Sequence, residues 1–318
     1  MSERIEQLFN TLIDQDAPIP IEKLPELSDL DSNQMAVLCQ KWACLDPQRR
    51  RSLIKELGQL ADENIELTFE VINKFALNDQ HPEVRQTAIN NLWESEDPSL
   101  IHSFIHALES DSSELVRAAA ASALGSFVFL AETGDISPSL QLDMEEALLH
   151  SITIEKNEDI LCSCLESLGF SSRKEVETHI LEAYHSGREA LKESALLAMG
   201  RSANKKWRDL VLSELHNPLP NLRFVAAKSA GELEIRDALI ELIDLLEDVN
   251  RDVKHAAIWS ISQIGGSTAT EALASLFDLS DDDEETQLIQ DALDNLAFVN
   301  GTRDLLIFDF DETEDTDT

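Results

Sequence analysis

Residues 116–125 read Val-Arg-Ala-Ala-Ala-Ala-Ser-Ala-Leu-Gly, from Val116 to Gly125. The same grammar returns at Leu191–Gly200 (LKESALLAMG) and at Leu222–Gly231 (LRFVAAKSAG). Each copy opens on an apolar-basic pair, runs through small residues and reaches a glycine nine positions on. The pairs Leu191-Lys192, Leu222-Arg223 and Val253-Lys254 stand 31 residues apart, and Ile160-Leu161 lies 31 before the first of them. Val84-Arg85 and Val116-Arg117 are 32 apart. A fixed period of this length on helically spaced apolar residues marks a solenoid of helix pairs. The small residues let neighbouring helices approach closely, and the glycine suits a left-handed helix C-cap.

A second ladder lies six residues before the basic positions. Asp79 precedes Arg85, Asp111 precedes Arg117, Asn217 precedes Arg223 and Asp248 precedes Lys254. Asp or Asn there can N-cap the second helix of each pair, and the basic side chain can reach the Asp of its own or the adjacent unit. Eight pairs cover roughly 33–298. Residues 1–31 form an N-terminal helix and a Pro-rich linker or cap (APIPIEKLP from Ala17), 32–300 the repeat array, and 301–318 a tail. The step from Val116 to Ile160 is 44 residues, so 126–137 is an insertion that lengthens one helix and adds a loop.

The Asp-to-Arg spacing, the Val-Arg-x-x-Ala-Ala-x-Ala-Leu-Gly run and the period resemble HEAT repeats, nearest the short bacterial HEAT-like form of phycobilisome lyases. The resemblance implies an all-α, right-handed α-solenoid of about eight helix pairs whose second helices line the concave face. It also implies a scaffold for other macromolecules. The fourth unit departs from the pattern, with Leu161 in the basic place, and the eighth lacks the pair at Glu285–Leu288.

Composition narrows the function. The net charge is −37, and 281–318 holds 14 acidic residues against one Arg, so acidity also pervades the rest. Phosphate backbones would be repelled, which excludes ordinary nucleic-acid binding, while basic protein surfaces would be attracted. The N-terminus MSERIEQLFN has no apolar signal core and no run spans a bilayer, so a cytoplasmic, non-membrane protein is expected. Cys39, Cys44, Cys162 and Cys164 form no CxxC pair and read as small buried hydrophobes in a reducing compartment.

Chemistry-bearing motifs are sparse. Proteins resembling deoxyhypusine hydroxylase carry repeated His-Glu pairs, and this chain has no His-Glu dipeptide. His102 and His106 stand one helical turn apart, but Ser103 occupies the Glu position of a zinc-protease motif. They read as surface residues beside a core stripe. Asp281–Glu285 reads as a solvated helix start. Arg49–Arg51 and Lys205, Lys206 and Arg208 around Trp207 are two basic clusters. The partner-binding candidate is the tail, where Leu305, Leu306, Ile307, Phe308 and Phe310 precede an acidic run. They act either as a lid on the last pair or as a docking motif.

The function expected is non-catalytic: an acidic scaffold or adaptor for a basic protein, with no cofactor and no metal. A lyase-like accessory protein handling a pigment or cofactor and a self-assembling structural component are the alternatives. The sequence names neither the partner nor the oligomeric state.

Overall fold

The N-terminal helix α1 (Ser2–Ile13) turns Ile5, Leu8, Phe9 and Leu12 inward, each almost fully buried. They pack on α2 (Ser32–Trp42) and on a 3-10 turn at Ile21–Leu27 that buries Leu24 and Leu27. The Pro-rich stretch is therefore part of a cap that seals the first pair's apolar end. At roughly 1.5–3 kcal/mol per buried large apolar side chain, such a cap is worth several kcal/mol before entropy is charged. The computed structural model describes residues 2–14 and 17–311, and side chains for 5–14 and 17–298.

The chain forms two compact units, Met1–Ser171 and Ser172–Thr318. In the first, α2 is followed by α3 (Pro47–Glu63), and α4 (Glu70–Ala76) pairs with α5 (Pro82–Asn90), α6 (Ser99–Ser110) with α7 (Glu114–Glu132), and α8 (Pro138–Ile154) with α9 (Glu158–Leu168). In the second, α10 (Lys174–Tyr184) pairs with α11 (Glu189–Arg201) and α12 (Arg208–Glu214) with α13 (Pro220–Glu232). The last pairs are α14 (Leu239–Asp244) with α15 (Arg251–Ile264), and α16 (Ser267–Leu279) with α17 (Asp283–Asp311). Eight pairs result, as the period predicts, and the described residues contain no strand.

Starts and stops follow local chemistry. Asp31 and Gln34 close a capping box on α2, and Pro47 opens α3 behind the Asp46 cap. The expected Asp and Asn caps sit two residues too early. The N-cap positions of α5, α7, α13 and α15 are His81, Ser113, Leu219 and Asn250. Their backbone N–H groups donate to Asp79, Asp111, Asn217 and Asp248 at 2.8–2.9 Å. The ladder thus shapes the turn before each helix, because the carboxylate has a second partner to reach.

Gly125, Gly200 and Gly231 are not the left-handed C-caps that the sequence predicts. All three lie within helices, without positive φ. They serve close approach. A Cβ on Gly231 would stand 2.8 Å from the Cα of Ser260, and one on Gly125 3.3 Å from the Cα of Ser167. The left-handed positions fall three residues later, at Ala203 and Glu234. In both units consecutive second helices pack on one another, whereas most first helices pack chiefly on their own partner.

The insertion builds structure. It extends α7 to Glu132, buries Phe127, Val128 and Ile136, and turns at Gly134, where φ is +93°. Helix α7 is the one helix among the described residues long and apolar enough to cross a bilayer, yet half of that stretch is buried against its neighbours. Of the cysteines, only Cys164 is fully buried, which pushes its thiol pKa up; Cys39 and Cys44 are exposed.

Candidate functional site

The second helices carry two kinds of periodic side chain, one that holds the stack together and one that faces solvent. The first is the ion-pair ladder. Arg85 Nε and Nη2 donate to the two oxygens of Asp111, both at 2.7 Å, while Nη1 donates to the Asp79 carbonyl at 2.7 Å. Arg223 repeats this with Asp248 at 2.7 and 2.9 Å and the Asn217 carbonyl at 2.8 Å. Arg117 takes the Asp111 carbonyl and reaches Glu155, a carboxylate supplied from the far side of the insertion. Each guanidinium therefore binds the backbone of its own turn and the carboxylate of the next. Bidentate, charge-assisted geometry of this kind fixes register between units.

Lysine rungs are simpler. Lys192 pairs with Glu214 at 2.6 Å and lies 4.8 Å from the Tyr184 ring centroid, and Lys254 pairs with Glu285 at 2.5 Å. Sequence reading missed the first rung because it took Arg50 for part of a basic cluster. Arg50 is 8% exposed and pairs with Asp79 at 2.5 Å, while the Trp42 indole donates to the same oxygen at 2.7 Å. Arg49 donates to the Leu12 carbonyl and Arg51 pairs with Glu83, so that cluster is dispersed. The other is dispersed too: Lys206 pairs with Glu177 above the buried Trp207 ring, and Arg208 with Asp237.

The ladder leaves an electrostatic signature. The Arg223 hydrogen bonds hold Asp248 below the usual carboxylate range. Burial would raise Asp111, but hydrogen bonds from Arg85 and the Ser113 amide outweigh it and lower it. Burial would likewise raise Glu214, but hydrogen bonds from Lys192, Tyr184 and Asn217 outweigh it and lower it. Beneath the ladder, buried serines stitch the second helices: Ser167 donates to the Ala121 carbonyl, Ser229 to Leu196 and Ser260 to Ala227, at 2.7–2.8 Å.

The second periodic set begins one residue after each basic position and recurs every helical turn. In the first unit it comprises Arg51, Lys55 and Gln59, then Gln86 and Asn90, then Ala118, Ser122 and Ser126. In the second it comprises Glu193, Leu197 and Arg201, then Phe224, Lys228 and Glu232, then His255, Trp259 and Gln263. None of these side chains is buried. Within each unit they form a stripe across the closely packed second helices, the arrangement a repeat protein uses to present a periodic surface. Its composition departs from an acidic groove. In the first unit the stripe's charged members, Arg51 and Lys55, are basic, and in the second basic and acidic residues mix; exposed carboxylates such as Glu182 and Asp244 lie on first helices, and others such as Glu83 and Glu189 on second helices outside the stripe.

One stripe residue is electrostatically unusual. Glu232 sits over Gly200 with its Oε2 buried and without a hydrogen-bond partner. Burial raises its pKa, against the smaller opposing pull of Lys228 and Arg201.

Other candidates stay apart. His102 and His106 are exposed on α6, and among the described residues no group of three His, Cys, Asp or Glu is placed to hold a metal. Asp281–Asp283 lie at the start of α17, where Asp282 accepts the Glu285 amide. Helix α17 continues past Gly301 through 305–310, but the side chains of Leu305, Leu306, Ile307, Phe308 and Phe310 lie outside the described residues.

The sequence profile of HEAT repeats matches residues 35–125 and 208–297, more than half of the chain. No curated protein matches the sequence. Among solved structures, YibA of Escherichia coli is 14% identical over 89% of this chain and 98% of its own, with a TM-score of 0.48. Human deoxyhypusine hydroxylase is 18% identical over 93% and 97%, with a TM-score of 0.37. The CpcE–CpcF complex of phycocyanin lyase from Nostoc sp. is 18% identical over 72% and 95%, with a TM-score of 0.47. At these scores the likenesses carry no functional argument.

Proposed function

The chain belongs to the HEAT-repeat family, and on that footing we propose that it is a non-catalytic scaffold or adaptor that seats a basic protein partner. The observation that supports this reading most is the second-helix stripe: periodic, partly exposed and nearly neutral within a chain of net charge −37. The two properties divide the work. The acidic exterior steers a basic partner and speeds encounter, an effect that salt weakens. The stripe then supplies contact, with Phe224 and Trp259 as aromatic anchors around Lys228.

The test is partner capture on the immobilised full chain at low and moderate salt. Replacing Phe224 and Lys228 together by Ala should weaken retention by about tenfold, the loss of roughly 1.4 kcal/mol, with helix content unchanged. Reversing Glu182, Asp244 and Glu247 to Lys should slow association and flatten its salt dependence. Capture indifferent to both sets sinks the proposal. A chromophore that co-purifies with the folded chain would favour the pigment-handling alternative. Concentration-dependent self-association without a partner would favour the structural one.

A further inference from the structure

The position eleven residues before each rung residue differs between the two units. Before Lys192, Arg223 and Lys254 it is Leu181, Leu212 and Ile243, each 31 residues after the last. Before Arg50, Arg85 and Arg117 it is Cys39, Lys74 and His106. The second unit thus places a large aliphatic residue there on three consecutive first helices, α10, α12 and α14. Each follows directly on a residue that buries its helix, Ile180, Val211 and Leu242, yet none of the three is itself buried. Leu181 is 39% exposed, and Ile240, one turn before Ile243, is 72% exposed. Ion pairs hold the starts of these helices side by side, Lys206 with Glu177 and Arg208 with Asp237 at 2.6 Å. One turn beyond them, Leu181, Leu212 and Ile243 form an apolar row across the helices.

The charge around this row has one sign. Past their first residues α10, α12 and α14 contain no Lys or Arg, while Glu182, Asp209, Glu241 and Asp244 lie on them. Asp244 and, in the turn that follows, Glu247 are exposed and take part in no ion pair or side-chain hydrogen bond among the described residues. One oxygen of Glu241 is buried without a hydrogen-bond partner. Uncompensated carboxylates beside exposed apolar side chains suit a ligand that is apolar and cationic at once. Spacing selects its form. Neighbouring helices lie about 10 Å apart. On a ligand helix, residues seven apart are separated by about 10.5 Å and return to the same face. An extended chain covers that step in about three residues, which point to opposite sides.

We propose that the outer face of α10, α12 and α14 docks an amphipathic, basic helix of a partner protein. Its apolar residues, seven apart, lie over Leu181, Leu212 and Ile243, and its lysines or arginines reach Asp244 and Glu247. The inference rests on the basic-partner reading above and adds to it a second surface, separate from the stripe.

Fluorescence anisotropy with the full chain and a labelled peptide tests it. The peptide is an alanine-based helix with leucines seven positions apart and lysines on both flanks of that face; a control of the same composition spreads the leucines around the helix. Saturable binding that moderate salt weakens is expected. Leu212→Ser together with Ile243→Ser should weaken it by about tenfold. If that variant loses helical signal, Asp244→Asn with Glu247→Gln, at two exposed positions, should weaken it by about threefold. The paired Phe224 and Lys228 variant should bind the peptide as the parent chain does. The proposal is overturned by no saturable binding, by equal affinity for the control, by row or carboxylate variants that bind normally, or by loss of binding in the stripe variant. Absent peptide binding alongside intact capture of a basic partner through the stripe would sink this surface and leave the basic-partner reading standing.

Discussion

Replacing Gly231 by Ala puts one methyl group where two second helices are closest. The added Cβ would meet the Cα and Oγ of Ser260 and the Trp259 ring, each at 2.8 Å, well inside van der Waals contact. The Trp ring can turn aside, but the Ser260 backbone moves only if α15 does. Overpacking a rigid contact costs about 1–3 kcal/mol. Displacing Ser260 also breaks its 2.7 Å hydrogen bond to the Ala227 carbonyl, worth about 1 kcal/mol. The sum is about 2–4 kcal/mol, a fall of roughly 5–12 °C in the melting midpoint of a unit near 150 residues. Thermal unfolding followed by circular dichroism and by tryptophan fluorescence, which reports on Trp207 and Trp259 in this unit, measures it. If the second helices were not in this register, alanine at 231 would stabilise through its better helix propensity by up to about 1 kcal/mol. An unchanged or raised midpoint would therefore refute the close-approach reading.

Arg223→Ala should destabilise by about 2–4 kcal/mol, since it strands a largely buried Asp248, whereas Arg51→Ala removes an exposed pair and should change stability by less than about 0.5 kcal/mol; urea titrations of both variants decide it. The depressed Asp111 and Asp248 contribute stability above the ordinary carboxylate pKa of about 4, and it should be lost as pH falls through their lowered values. Melting curves of Asp248→Asn should therefore converge with those of the parent chain at the acid end. Glu232 has the opposite sign. Its raised pKa penalises the charged form, so Glu232→Gln should raise the midpoint at pH 7, and the gain should vanish below about pH 4, where the parent carboxyl is protonated in both states. A midpoint lowered at pH 7 would mean that Lys228 and Arg201 outweigh the burial.

The repeat was legible because its causes are local in sequence. An Ala-rich second helix, a turn-forming Asp and a basic residue six positions later must recur wherever identical units stack, so period and composition report the architecture. The eight pairs, the Asp46-Pro47 start and the lengthened α7 follow from such signals. The first rung was hidden because Arg50 stands between two other arginines, and only packing distinguishes the buried one. Glycine misled for a related reason. At the end of a helical run it can serve a left-handed turn or a close contact, and sequence presents both alike.

By itself, then, the sequence determined the helix-pair array and the acidic field, because periodicity and charge are sums over residues. The tertiary structure decided which partners those residues take. Asp111 bonds to Arg85, 26 residues earlier, and Ser260 reaches Ala227, 33 residues back. Trp42 and Phe75, 33 residues apart in the chain, meet edge to face. Such pairings depend on the angle and spacing at which neighbouring helices pack, a geometry set by the volume of every side chain at the contact rather than by any one motif.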